Sequence, residues 1–119
     1  MSKLKNNVKI IKALADEGRM RIVFLLYLKK GLCVCEIKEM IGLSQPTISS
    51  HLRQLESAGV VESEKDGLWV NYRLSDDMDR DIKDMINILY TRAKEDGKVK
   101  DDMDKIKDIN RHRLCKREG

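Results

Sequence analysis

Cys33 and Cys35 are the residues of this chain best equipped for chemistry. They stand in LCVCEIKEM, where a short helix is expected to begin. Thiolates are soft donors and select thiophilic ions over hard ones. The start of a helix favours the ionised thiol. A third thiol, Cys115, lies in the basic segment RHRLCKREG. An odd count made of a Cys-x-Cys pair and one distant Cys fits ion ligation or redox sensing better than a structural disulfide. The plain alternative is two small core residues and an idle thiol. Spacing adds a constraint: residues two apart lie roughly 200° apart on an ideal helix. One ion can join both sulfurs only if the first turn bends, or if Cys33 lies outside the helix.

A second constellation follows within ten residues. Ser44, Gln45, Thr47, Ser49, Ser50, His51 and Arg53 occupy the expected outward positions of the next helix. Gln suits adenine, Arg suits guanine or phosphate, and small hydroxyl residues allow close approach to a groove. Polar helix faces are more often simply solvated, so the neighbours matter. A glycine turn precedes this helix and a hairpin follows it, which together suit double-stranded DNA. Lys65 at the hairpin tip and Arg73 on its second strand are candidates for phosphate contacts.

The elements that must hold these groups follow from periodicity. Leu4, Val8, Ile11 and Ala15 mark a first helix, broken near Asp16–Gly18. Arg19 to Lys30 is apolar nearly all round and reads as a central helix that stops at Gly31. Val34, Ile37 and Ile41 face inward on the third helix. Gly42–Leu43–Ser44 is the turn, with Ser44 as cap and Pro46 in the first turn of the fourth helix. Ile48, Leu52 and Leu55 form its inward stripe, and Gly59 ends it. The period then changes: Leu68, Val70, Tyr72 and Leu74 alternate with Trp69, Asn71 and Arg73, and Asp66–Gly67 predicts a two-residue hairpin turn. Met78, Ile82, Met85, Ile86, Leu89 and Tyr90 mark a fifth helix, Glu95 to Asp104 reads as loop, and Lys105 to Arg117 as a weak helix or mobile tail. The order is α-α-α-α-β-β-α, a mainly α winged helix-turn-helix. Residues 1–93 are expected to form the DNA-binding and dimerisation domain, and residues 94–119 a polar basic tail carrying Cys115. The terminal helices carry apolar stripes with few partners in so small a domain, so a homodimer is expected.

Charge supports a polyanion partner. Residues 1–60 hold ten Lys or Arg against five Asp or Glu, whereas residues 76–104 hold six against ten. No apolar run approaches the roughly 18 residues of a membrane span, and the N-terminus lacks a secretory pattern, so a cytoplasmic location is expected. An enzyme reading, as a dithiol oxidoreductase, lacks a thioredoxin-like βαβ pattern, a phosphate-cradling loop or a base–nucleophile pair. No organic cofactor is implied.

KALADEGRMRIVFLL, GLCVCEIKEMIGLSQPTISSHLRQLESAGVV and EKDGLWVNYRL together resemble the ArsR/SmtB family of metalloregulatory repressors, from about Lys12 to Leu74. The resemblance implies a homodimeric winged-helix repressor on an inverted-repeat operator, released when an inducer ion binds. It makes Cys33 and Cys35 the ligand pair, as in members that sense arsenite, antimonite, cadmium or lead. Arsenite-sensing relatives can carry a third Cys within the same helix. Here Lys38 and Met40 stand at the nearby positions, so Cys115, from the same chain or the other protomer, is the candidate third ligand for As(III) or Sb(III). Cd(II), Pb(II) or Zn(II) is the alternative inducer, although the N-terminal cysteines of such members are missing here. His112, three residues before Cys115, could share a zinc or cadmium site. A repressor switched by thiol oxidation is a further alternative. No His lies between Asp76 and Ala93, so the Asp/His site of other members on the fifth helix is not expected.

Overall fold

The computed structural model describes residues 2–109. Its elements run α1 (Lys3–Leu14), α2 (Glu17–Leu28), α3 (Val34–Ile41), α4 (Gln45–Ser57), β1 (Val61–Asp66), β2 (Trp69–Leu74), α5 (Arg80–Ala93) and α6 (Gly97–Ile106). The fold is a winged helix-turn-helix.

Local signals set most boundaries. Ser2 caps α1 by accepting from Lys5 N–H at 3.0 Å. Asp16 caps α2 by accepting from Arg19 N–H at 3.0 Å. The Arg19 Nε then donates to the Ala13 carbonyl at 2.7 Å, so one residue closes the end of α1 while opening α2. Ser44 caps α4 by accepting from Thr47 N–H at 3.3 Å, with Pro46 in the first turn. α2 is the central helix: Ile22 to Leu26 are buried without a break, and all but Phe24 meet Leu32, Ile37, Ile48, Leu52, Leu55 and Ile86 in one core. α2 stops at Leu28, two residues before Lys30, and Leu28 is exposed.

Three expectations change. The α1 stripe that packs inward is Ile10, Ala13 and Leu14, whereas Leu4, Val8 and Ile11 are 74%, 45% and 51% exposed. The hairpin loop is Gly67–Leu68, because Asp66 still pairs with Trp69, and Gly67 takes a φ of +60° that favours glycine. Most important, the segment expected as loop between Glu95 and Asp104 contains α6, capped by Asp96. α6 packs on α2 and α3, so the chain after residue 93 continues the domain at least to Ile106. Its apolar positions, Val99, Met103 and Ile106, recur at helical spacing, but they are diluted by lysines and aspartates.

Candidate thiol site and nucleic-acid interface

Cys33 lies outside α3, as its N-cap, with an extended φ of −93° and ψ of 167°. Its backbone N–H donates to Glu36 Oε1 at 2.9 Å, so a buried carboxylate holds the entry to the helix. Cys35 sits in the first turn. The extended cap swings one sulfur back toward the other, and the two Sγ atoms are 3.8 Å apart. Of the two routes that the spacing left open, the structure takes the second, with Cys33 outside the helix. A tetrahedral ion with metal–sulfur bonds of about 2.3 Å spans roughly 3.8 Å between two sulfurs. Cys35 is disulfide-bonded in this structure, against the expectation from the odd cysteine count, so the pair matches the span of a thiophilic ion only once Cys35 is reduced. Cys33 is buried and Cys35 half-buried. Among the described residues, no group of three or more His, Cys, Asp or Glu is placed to hold a metal. Cys115 and His112 lie outside the described residues.

The segment that carries the pair is hydrogen-bonded or packed to both elements expected to meet DNA. α3 packs on α4 through Ile37, Ile41, Ile48 and Leu52. On its other side, Leu32 exchanges two backbone hydrogen bonds with Tyr72 of β2, at 3.0 and 2.8 Å. One peptide bond thus separates Cys33 from a residue tied to the wing.

On α4, Ser44, Gln45, Thr47 and Arg53 are exposed, whereas Ser49 and Ser50 are half-buried. The Ser44 hydroxyl is engaged, since it caps the helix and donates to Thr47 Oγ1 at 2.9 Å. His51 is not on the outward face. Its side chain is 14% exposed, and its Nε2 lies 3.6 Å from Asp16 Oδ2. It packs so close to Gly18 that an added Cβ there would meet Nε2 at 2.9 Å. The helical period explains this: His51 lies about 60° around the helix from Ile48, inside the buried arc. The same amide that caps α2 keeps the Asp16 carboxyl below its ordinary pKa, with His51 adding to the effect.

The wing differs. Lys65 is exposed near its tip, beside exposed Leu68 and Val70. Arg73, expected to meet phosphate, is instead drawn into a carboxylate cluster. Its Nε donates to Glu62 at 2.8 Å and its Nη1 to Glu64 at 3.2 Å, with Asp76 at 3.8 Å. Antiparallel pairing puts Glu62 directly opposite Arg73, which dictates the ion pair. Hydrogen bonds donated to these carboxylates push the guanidinium pKa above its usual value, so the cation is permanent but locally neutralised. The pairing in the hairpin, read residue against residue, was the sequence signal for this.

Comparison with known proteins agrees with this architecture. Residues 16–63 match the model for bacterial regulatory proteins of the arsR family. The chain is 46% identical over 65 residues to the arsenic resistance transcriptional regulator ArsR1 of Pseudomonas putida, a match covering 55% of this chain and 51% of that protein. It is 34% identical over 87 residues to a cadmium resistance regulatory protein CadC homolog from Staphylococcus aureus, covering 73% of this chain and 69% of the relative. Among solved structures, the homodimeric winged helix-turn-helix DNA-binding domain of a possible ArsR-family regulator from Mycobacterium bovis superposes with a TM-score of 0.65 at 27% identity, over 80% of this chain and 89% of that one. No helix among the described residues is long and apolar enough to cross a membrane. The matched helix-turn-helix and the shared winged fold carry one conclusion: this chain belongs to the ArsR family of DNA-binding transcriptional regulators, and its family is not one of enzymes.

Proposed function

We propose that the protein is a metalloid-responsive repressor, bound as a homodimer to an inverted-repeat operator and released when arsenite or antimonite binds its thiolates. The observation that carries this reading is the Cys33–Cys35 pair, 3.8 Å apart at the cap of α3, the helix that packs on α4. Gln45, Thr47 and Arg53 of α4 read bases, with Lys65 of the wing on phosphate. The exposed Leu4, Val8 and Ile11 of α1 and Ile88 of α5 supply the apolar surface that a second copy covers. The homodimeric M. bovis relative supports that assembly.

Trigonal As(III) or Sb(III) needs a third sulfur, and Cys115 supplies it. Ile109 packs against the core shared with α3, and Cys115 lies six positions further along the chain. That length spans up to about 20 Å, longer than the roughly 12 Å of an eight-residue helix such as α3. The thiol of the same protomer is therefore within reach. Ion binding at the cap acts on α3, and through α3 on α4, while Leu32 carries the same displacement to β2 and the wing. A differential of about 1–3 kcal/mol between the DNA-bound and free states is enough to shift occupancy.

The cadmium-resistance relative and the tetrahedral fit of the thiol pair favour a second reading, in which Cd(II) or Pb(II) is the inducer and Cys115 plays no part. Fluorescence anisotropy separates the two. A duplex selected from a random library by the reduced wild-type protein is titrated with arsenite, cadmium, lead and zinc in turn, for wild type and Cys115→Ser. Release by arsenite in wild type, strongly weakened in the variant, is expected. Release by cadmium or lead alone, equal in both proteins, would replace the arsenite reading. Release that depends on an oxidant and is reversed by reductant would replace both with a thiol-redox switch.

A further inference from the structure

α6 was not expected, and its position is specific. Asp102 at its centre is 3% exposed and accepts two hydrogen bonds from Arg21 of α2, both at 2.9 Å. The same Arg21 donates from Nη2 to the carbonyl of Ile41, the last residue of α3, at 3.2 Å. Lys105, one turn further along α6, reaches the Met40 carbonyl at 3.4 Å. Two cations held by α6 or bonded to it thus close the C-terminal end of α3. The next residues, Gly42 to Ser44, are the turn into the reading helix. α6 also joins α5: Tyr90 donates to Met103 Sδ at 2.9 Å, and Phe24, Tyr90 and Val99 form a second apolar cluster.

A buried ion pair is a poor source of stability, because losing water from both ions offsets most of their attraction. Its better-attested use is to impose one geometry among several. Bidentate pairing fixes the guanidinium plane, so the remaining Nη2 proton points in one direction, at the Ile41 carbonyl. We propose that Arg21 and Asp102 are positioning residues for DNA recognition. Through them α6 holds the C-terminal end of α3, and therefore the angle of the helix-turn-helix, in the operator-binding arrangement. The thiol pair sits at one end of α3 and this clamp at the other. An ion at the first end changes operator affinity only as far as the second end holds the helix as a rigid lever. This rests on the operator-release reading given above, and wild type serves as its control.

The test is the double variant Arg21→Met with Asp102→Leu, which fills the volume of the pair with apolar groups and should fold. Arsenite affinity of the DNA-free protein is read by titration. Affinity for the duplex selected by wild type is read by anisotropy, with and without arsenite. The expected result is unchanged arsenite affinity, operator affinity weakened about tenfold, and a ratio of affinities with and without ion that shrinks by a similar factor. Lys105→Met, a surface change, should show the same pattern more weakly, and Arg21→Lys, which keeps the charge but loses the fork, should not restore the ratio. If wild type responds to arsenite and both the double variant and Lys105→Met keep its operator affinity and ratio, the clamp has no positioning role. If wild type itself does not respond, the operator-release reading fails instead.

Discussion

The reading helix and the wing carry similar side chains, yet they differ in what those groups are already bonded to. Arg53 and Gln45 on α4 are exposed, and among the described residues neither forms an ion pair or a side-chain hydrogen bond. Arg73 on β2 is a cation of equal charge, but Glu62, Glu64 and Asp76 surround it. Residues 61–75 hold three acidic against two basic side chains. Recognition of a polyanion depends on charge that is not already neutralised, so the two elements cannot contribute equally. The contrast teaches that residue type identifies a possible contact, whereas the partners within the fold decide whether the group is available.

The largest effect that would sharpen this contrast is on α4. Arg53→Ala or Gln45→Ala should weaken operator binding by about 1–3 kcal/mol if the residue meets a base edge. For Arg53 on phosphate, the salt dependence should flatten by about one counterion instead. Anisotropy titrations at several salt concentrations distinguish the two, and unchanged affinity in both variants would move recognition to another face. Ser44→Ala should be intermediate and of a different kind. Its hydroxyl already caps α4, so the loss should register as about 1 kcal/mol of stability, a fall of roughly 4 °C in Tm, with little change in base preference. A variant with unaltered melting but relaxed base preference would mean that Ser44 reads DNA. The smallest effect belongs to Arg73→Ala, which should leave operator affinity nearly unchanged. Its counterpart is informative: Glu62→Gln with Glu64→Gln releases the guanidinium, and binding should strengthen at low salt with a steeper salt dependence. A large loss on Arg73→Ala would show that phosphate displaces the carboxylates on binding, and would end the contrast.

The fold was legible wherever one short-range rule acted alone. Ser44 followed by Pro46 predicts the start of α4, and Ile48, Leu52 and Leu55 predict its buried face. Alternation in the hairpin placed Tyr72 and Leu74 against the core, and missed the turn by one residue. His51 was misplaced because its polarity outweighed its position in the buried arc. α6 was missed because its burial rests on Asp102 meeting Arg21, 81 residues earlier. A run such as KVKDDMDK has the composition of a solvated loop, and only that distant partner makes an aspartate worth burying.

The sequence by itself determined the helix-turn-helix, the hairpin, the soft-donor pair and the family, because caps, periodicity and motif spacing are local properties of the chain. Tertiary structure decided which of those groups are available. It set Cys33 outside α3, so that the two sulfurs lie 3.8 Å apart. It neutralised Arg73, turned His51 toward α2, and buried Asp102 of α6 against Arg21 of α2. The physical reason is shared by all four: a charge or a thiol takes its character from the groups within about 4 Å of it, and those groups come from distant parts of the chain or from a backbone angle that composition does not encode.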